Sequence, residues 1–292
     1  MSLHEDVRKA VTGHTSELYF LLEFVRDVDK YITAQGEERM SDFVHSVPHN
    51  LIDEVKQFLS DFFEGGDEAG RVLKELVKEP PSKRGKERIV FEREYSSEIG
   101  EYIWRFVLAM LMRVRYPEFL YSTALTHSIA VFESFLRDFL IAIFSNRPDT
   151  LKSESSATYE DILSFGSMKE LIRHLATTRA EKVIKENIDK VADKLREDFN
   201  FDVSRFKQFN ILREASYRRN VVVHNGGITD KDYCNKIPDV RIGVTLSTDF
   251  QYIETLTIVI GQFIERLDKH FARRMHYMRH PKQNSILHPP PR

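Results

Sequence analysis

Within Arg218–Gly227, the run RRNVVVHNGG, an arginine, a polar amide and a histidine stand at Arg219, Asn220 and His224. These types suit the cleavage of RNA by its own 2'-hydroxyl, which needs a group that moves protons near neutral pH and a fixed cation beside the phosphate. Histidine titrates close to physiological pH, and guanidinium stays charged while presenting a planar fork of donors. Such chemistry requires no metal and no other cofactor.

On a helix, Asn220 and His224 share a face, so the amide can orient the imidazole or reach a ribose. Arg219 points roughly 140 degrees away from His224 at 3.6 residues per turn, a gap that only its length helps to bridge. Two plainer accounts of the segment stay open. One is a surface arginine with a histidine at a helix end, where a basic residue suits the dipole. The other is a β-hairpin, since Val221, Val222 and Val223 favour a strand and Asn225–Gly226 is a turn pair.

The spacing of Arg219, Asn220 and His224 resembles the R-[polar]-x-x-x-H motif of the catalytic HEPN ribonucleases. Glu133 to Arg137 (ESFLR) is similar to the E-x-x-x-[KR] element of several HEPN families. The order of helices around the motif also fits, and the resemblance covers roughly residues 117 to 280. It implies a metal-independent endoribonuclease that leaves a 2',3'-cyclic phosphate and a 5'-hydroxyl. It further implies a homodimer whose two motifs meet in one cleft, with Glu133 and Arg137 in support, and a use in toxin–antitoxin systems or antiphage defence. The competing expectation is a catalytically silent HEPN-like scaffold or nucleotide-binding partner. Glu133 and Arg137, four apart, also suit a simple intrahelical ion pair.

Other basic residues extend the question. Arg213 and Arg218 precede the motif by about a turn, and Lys269 to Lys282 contains Arg273 and Arg274 with no acid. RNA-backbone contacts and ordinary solvated side chains both account for them. The formal charge of -2 offers no global attraction to a polyanion. His270, His276, His280 and His288 lack a compact ligand arrangement, so no metal is expected. The one cysteine, Cys234, excludes an internal disulfide, and neither a signal peptide nor a membrane span is read, which together point to the cytoplasm. There is no GxxxxGK phosphate loop, GxGxxG or HExxH.

The elements that must position these residues read as all-α, an HEPN-like helical bundle preceded by an N-terminal helical domain. Residues 1–90 form the first domain, 91–280 the second, and 281–292 a disordered tail. The first hundred residues divide into several amphipathic helices, including one after Pro48 and one from about Asp67 to Lys78. Glu79–Arg88 (EPPSKRGKER) is the linker. A helix from Ser97 to Tyr116 ends or kinks at Pro117, and another runs to about Phe144. Ser167 to Glu170 is a capping box, and Thr178 to Glu181 repeats its pattern. The next helix carries Val183, Ile184, Ile188, Val191 and Leu195 on one stripe. Further helices run from about Val203 to His224, and from Ser247–Asp249 to about Phe271. The N-terminal helices are open to a sensor or antitoxin partner.

Overall fold

A computed structural model describes residues 3–64, 97–151, 162 and 164–279 of the chain. Among the described residues the fold is all-α, a helical bundle with no strand beyond one isolated antiparallel bridge, Ile228 to Thr245. The expected helix over 67–78, the linker over 79–88 and the tail beyond Pro281 lie outside the described residues. No described helix is long and apolar enough to cross a membrane.

The first expected group of helices is a single one, α1, Leu3–Ser46. Its buried Val7, Leu18, Leu22, Val25, Ile32 and Phe43 lie three to eleven residues apart, and no proline falls between Leu3 and Ser46 to interrupt the backbone ladder. A 3-10 turn, His49–Leu51, follows Pro48 and leads into α2, Ile52–Glu64. The chain divides into two compact units, Val25–Leu120 and Met1–Phe24 with Tyr121–Arg292.

In the first of these, Phe43, Leu51, Val55 and Phe58 pack with Ile99, Ile103, Phe106 and Val107. The latter four belong to the 3-10 turn Ser97–Ile99 and to α3, Gly100–Met110. Pro117 does not end the helical path. The chain passes through a π turn, Leu111–Arg115, directly into α4, Tyr116–Asn146. Pro117 follows directly on that π turn, whose wider bonding, with the Tyr116 N–H to the Leu111 carbonyl, accommodates the ring. Gly36 of α1 is buried against this turn: a Cβ there would lie 2.7 Å from Cγ of Arg113.

The other unit is built on α4, whose Phe132, Phe135, Phe139 and Phe144 are almost wholly buried. Around them lie α5 (Met168–Ile184), α6 (Ile188–Phe199), α7 (Phe209–Asn225), the short α8 (Lys231–Lys236) and α9 (Phe250–Arg279). Phe263 of α9 takes edge-on contacts from the rings of Phe132, Phe201 and Phe206, at 5.5, 5.8 and 5.5 Å between centroids. Each fully buried phenylalanine contributes about 2 kcal/mol by area, before the further gain from ring geometry.

Local caps set several boundaries. Ser167 accepts from the Glu170 N–H at 3.3 Å, and the Glu170 carboxylate reaches back to the N–H of Gly166 at 3.1 Å, one residue before the expected partner. Thr178 starts no helix, because α5 runs through it to Ile184. Asn187 begins the next helix instead by accepting from the Lys190 N–H at 3.0 Å. The stripe read as one helix is therefore shared between α5 and α6. The segment from Val203 opens with a 3-10 turn, Val203–Arg205, before α7 begins at Phe209. Asp249 caps α9 through the Tyr252 N–H at 2.7 Å.

Candidate functional site

Helix α7 carries the whole motif. Val221, which is buried, anchors one face, while Asn220 and His224 are exposed on another. The helix stops just past His224 because Gly226 adopts a left-handed conformation, φ 60°, and the Gly227 N–H returns to the Val221 carbonyl at 3.2 Å. His224 therefore lies in a helix's last turn and not in a hairpin strand. The Asn225–Gly226 pair serves as the helix stop. Beyond it, buried Thr229 is tied to Val244, Gly243 and Arg241, which pins the following loop.

Two clefts open on either side of α7. The first, about 470 Å³, includes Glu133, Lys185, Asn187, Tyr217, Arg219 and Asn220, with an apolar wall of Phe132, Leu136, Ile188 and Val191. The second, about 460 Å³, is formed by Tyr217, Asn220, Val221, His224, Asp230, Asp232, Tyr233, Asn235 and Lys236. Tyr217 and Asn220 line both. Arg219 and His224 thus face different clefts, as their angular separation on a helix requires, and Asn220 stands between them.

Glu133 and Arg219 are brought together: the guanidinium donates to the Glu133 carboxylate across from α4. Arg137 is directed elsewhere. It donates to Ser134 at 3.0 Å and pairs with Asp138 at 3.3 Å, so the ESFLR element is not an internal Glu–Arg pair.

Arg213 and Arg218, candidates for an RNA backbone, are committed inside the fold. Arg213 pairs with Asp189 at 2.6 Å and donates to the Lys236 carbonyl at 3.0 Å. Arg218 pairs with Glu214 at 2.7 Å, donates to the Ser247 carbonyl and lies 4.5 Å from the Tyr252 ring centroid. Glu214 also accepts from the hydroxyls of Tyr233 and Tyr252, both at 2.6 Å. Burial, reinforced by the Glu214 charge and hydrogen bond, holds both phenols protonated well above their usual range. In the basic C-terminal run, Lys269 pairs with Glu265 at 2.5 Å and Arg273 is exposed. Arg274 belongs to α9, and its side chain lies outside the described ones.

A second carboxylate, Asp189 of α6, ties α7 to its neighbour. Asp189 accepts from Arg213 and, at 2.8 Å, from the Tyr217 hydroxyl, with Lys236 at 3.9 Å. Burial works against its charge, but these hydrogen bonds and cations outweigh that and lower its pKa. Burial and the hydrogen bond to Asp189 push the Tyr217 phenol up to about 12.

Among the described residues no three His, Cys, Asp or Glu side chains gather as a metal site. Cys234 is a free, partly buried thiol. The sequence reading missed Tyr217, although residues 217, 220 and 224 follow the i, i+3, i+7 spacing of one helix face and that signal could have found it. Lys185, Asn187, Asp230, Asp232 and Asn235 come from other segments and carry no local signal. Comparison with protein-family models, with curated proteins and with solved structures finds no match for this chain.

Proposed function

We propose that this chain is a metal-independent endoribonuclease of the HEPN type, cutting RNA to a 2',3'-cyclic phosphate and a 5'-hydroxyl. The observation that carries this reading is the placement of Asn220 on the ridge shared by two clefts, with Arg219 on one side and His224 on the other. RNA drawn over that ridge meets a cation, an amide and an imidazole. His224 takes the 2'-hydroxyl proton as that oxygen attacks phosphorus, Arg219 balances the charge of the phosphorane, and Asn220 orients one of them.

The departing 5'-oxygen must also gain a proton, which one imidazole in its base form does not supply in the same step. A second copy of the chain, bringing its own motif to the cleft, supplies that acid, so the active species is read as a homodimer. Tyr19, Phe20 and Phe24 on α1 are 62, 71 and 60% exposed and offer an apolar face to an antitoxin or sensor. A use in toxin–antitoxin or antiphage defence follows from the resemblance alone, and cytoplasmic residence is proposed because a single cysteine suits a reducing compartment.

A scaffold without catalysis is the second reading. It is favoured by the cleft beside His224, where Asp230 and Asp232 outnumber Lys236 and disfavour a phosphate, and by the engagement of Arg219 with Glu133. The deciding experiment treats a mixed RNA pool, in EDTA, with wild type and with His224→Ala prepared identically. Cyclic-phosphate ends from wild type alone establish the ribonuclease. Absence of cleavage by dimeric wild type supports the scaffold, and equal cleavage by both removes His224 from the chemistry.

A further inference from the structure

The first cleft holds two cationic side chains, Lys185 and Arg219, together with the amides of Asn187 and Asn220. Its two carboxylates are differently placed. Glu186 is taken by the Lys190 ammonium at 2.7 Å, so its charge is locally balanced. Glu133 reaches into the cleft from α4 and occupies the guanidinium of Arg219. The two side chains remain 39 and 26% exposed, which makes their pairing a solvent-accessible contact and not a sealed core bridge. A half-buried pair that water still reaches is weaker than a sealed one, and a better anion can displace it.

A carboxylate and a phosphodiester present the same feature to a guanidinium: two oxygens sharing a negative charge at the spacing of its N–H fork. We infer that the first cleft is an anion subsite for a phosphodiester of the bound strand, and that Glu133 stands in for that phosphate in the resting chain. The inference rests on the ribonuclease reading for the identity of the ligand. Arg219 is then held in place but occupied, and RNA must displace Glu133 before the guanidinium serves the phosphate. The apolar wall of Phe132, Leu136, Ile188 and Val191 gives an attached nucleoside a surface to lie against.

The sign of one substitution separates this from a purely positioning role. Glu133→Gln keeps the shape and a carbonyl acceptor while deleting the charge. In a His224→Ala background, where RNA survives, Glu133→Gln is expected to tighten binding of a short single-stranded RNA several-fold. It also steepens the salt dependence of log Kd by about 0.7, the increment for one further phosphate neutralised on a single strand. A Lys185→Ala companion weakens binding and flattens the slope. Weaker or unchanged binding by the Glu133→Gln variant, with its melting temperature preserved, overturns the inference.

A second readout does not depend on RNA. Phenylglyoxal modification of Arg219, followed by mass spectrometry, is expected to run faster in Glu133→Gln than in wild type, and inorganic pyrophosphate is expected to protect it. Equal rates without protection overturn the subsite. Faster modification and pyrophosphate protection in a protein that binds no RNA retain the anion subsite and reject the ribonuclease reading alone.

Discussion

Tyr217 donates its hydroxyl hydrogen bond to Asp189, 28 residues earlier in the chain, at 2.8 Å. That bond fastens the helix bearing the motif to the helix that floors the first cleft. Asp189 also takes Arg213, so one carboxylate holds two side chains of α7 a turn apart. The face presented by Tyr217, Asn220 and His224 is thereby fixed about the axis of α7.

Acid should loosen this arrangement. The pKa of Asp189 is lowered in the folded chain, so its contribution to stability is present above the unfolded carboxylate value of about 3.9 and is lost as pH falls through the lower folded value. Asp138 behaves the same way, its pKa lowered first by the hydrogen bond with His14 at 3.1 Å. Urea midpoints are expected to fall steeply below about pH 4. Asp189→Asn should remove part of that slope; an unchanged pH profile would contradict the assignment.

Glu214, beside the motif, receives Arg218, Tyr233 and Tyr252. The Arg218 and Glu214 side chains are only 14 and 19% exposed. Glu214→Ala strands a cation and two phenols, and a loss of about 3 kcal/mol is expected from equilibrium denaturation. Tyr233→Phe, which removes one donor and leaves the ion pair, should cost about 1 kcal/mol.

Gly226 has open space around its missing Cβ, so a substitution there probes backbone conformation alone. Gly226→Ala should cost about 1 kcal/mol for the left-handed φ, whereas Gly226→Asn should cost less. Because the stop lies two residues past His224, the alanine variant should also lose RNA cleavage out of proportion to its stability. Matched losses in both variants would separate the stop from the site.

Asn220 is exposed and caps nothing. Asn220→Ala should leave the melting temperature within about 1 °C while lowering kcat/KM for RNA about 10- to 100-fold, the scale of a lost orienting group. An unaltered rate would take Asn220 out of the mechanism and leave Arg219 and His224 without a shared element.

What could be read from the sequence was what is decided within a few residues. Asn225 and Gly226 end α7 where a left-handed residue is cheapest, Ser167 caps α5, and Asp249 caps α9. The reading failed where local patterns competed. Thr178 to Glu181 has the letters of a helix start, yet the ladder already formed from Ser167 runs through it. Pro117 has the letters of a stop, yet a π turn absorbs it. Arg213, Arg218 and Arg219 look alike in the chain, and only tertiary placement gives the first to Asp189, the second to Glu214 and the third to Glu133. Those partners lie 24, 4 and 86 residues away. The four-residue pair was accessible to helical spacing; the other two were not.

The unequal clefts flanking Asn220 have a consequence for any linear polymer that crosses it. One side sets Lys185 and Arg219 with Glu133 and Glu186 beside an apolar wall, the other sets His224 and Lys236 with Asp230 and Asp232, so reversing the strand exchanges its 5' and 3' neighbours between unlike surroundings. On the proposed ribonuclease reading, such a ridge would distinguish the polarity of a strand. A strand laid across it in one direction is not equivalent to the same strand turned end for end, even before any base is recognised.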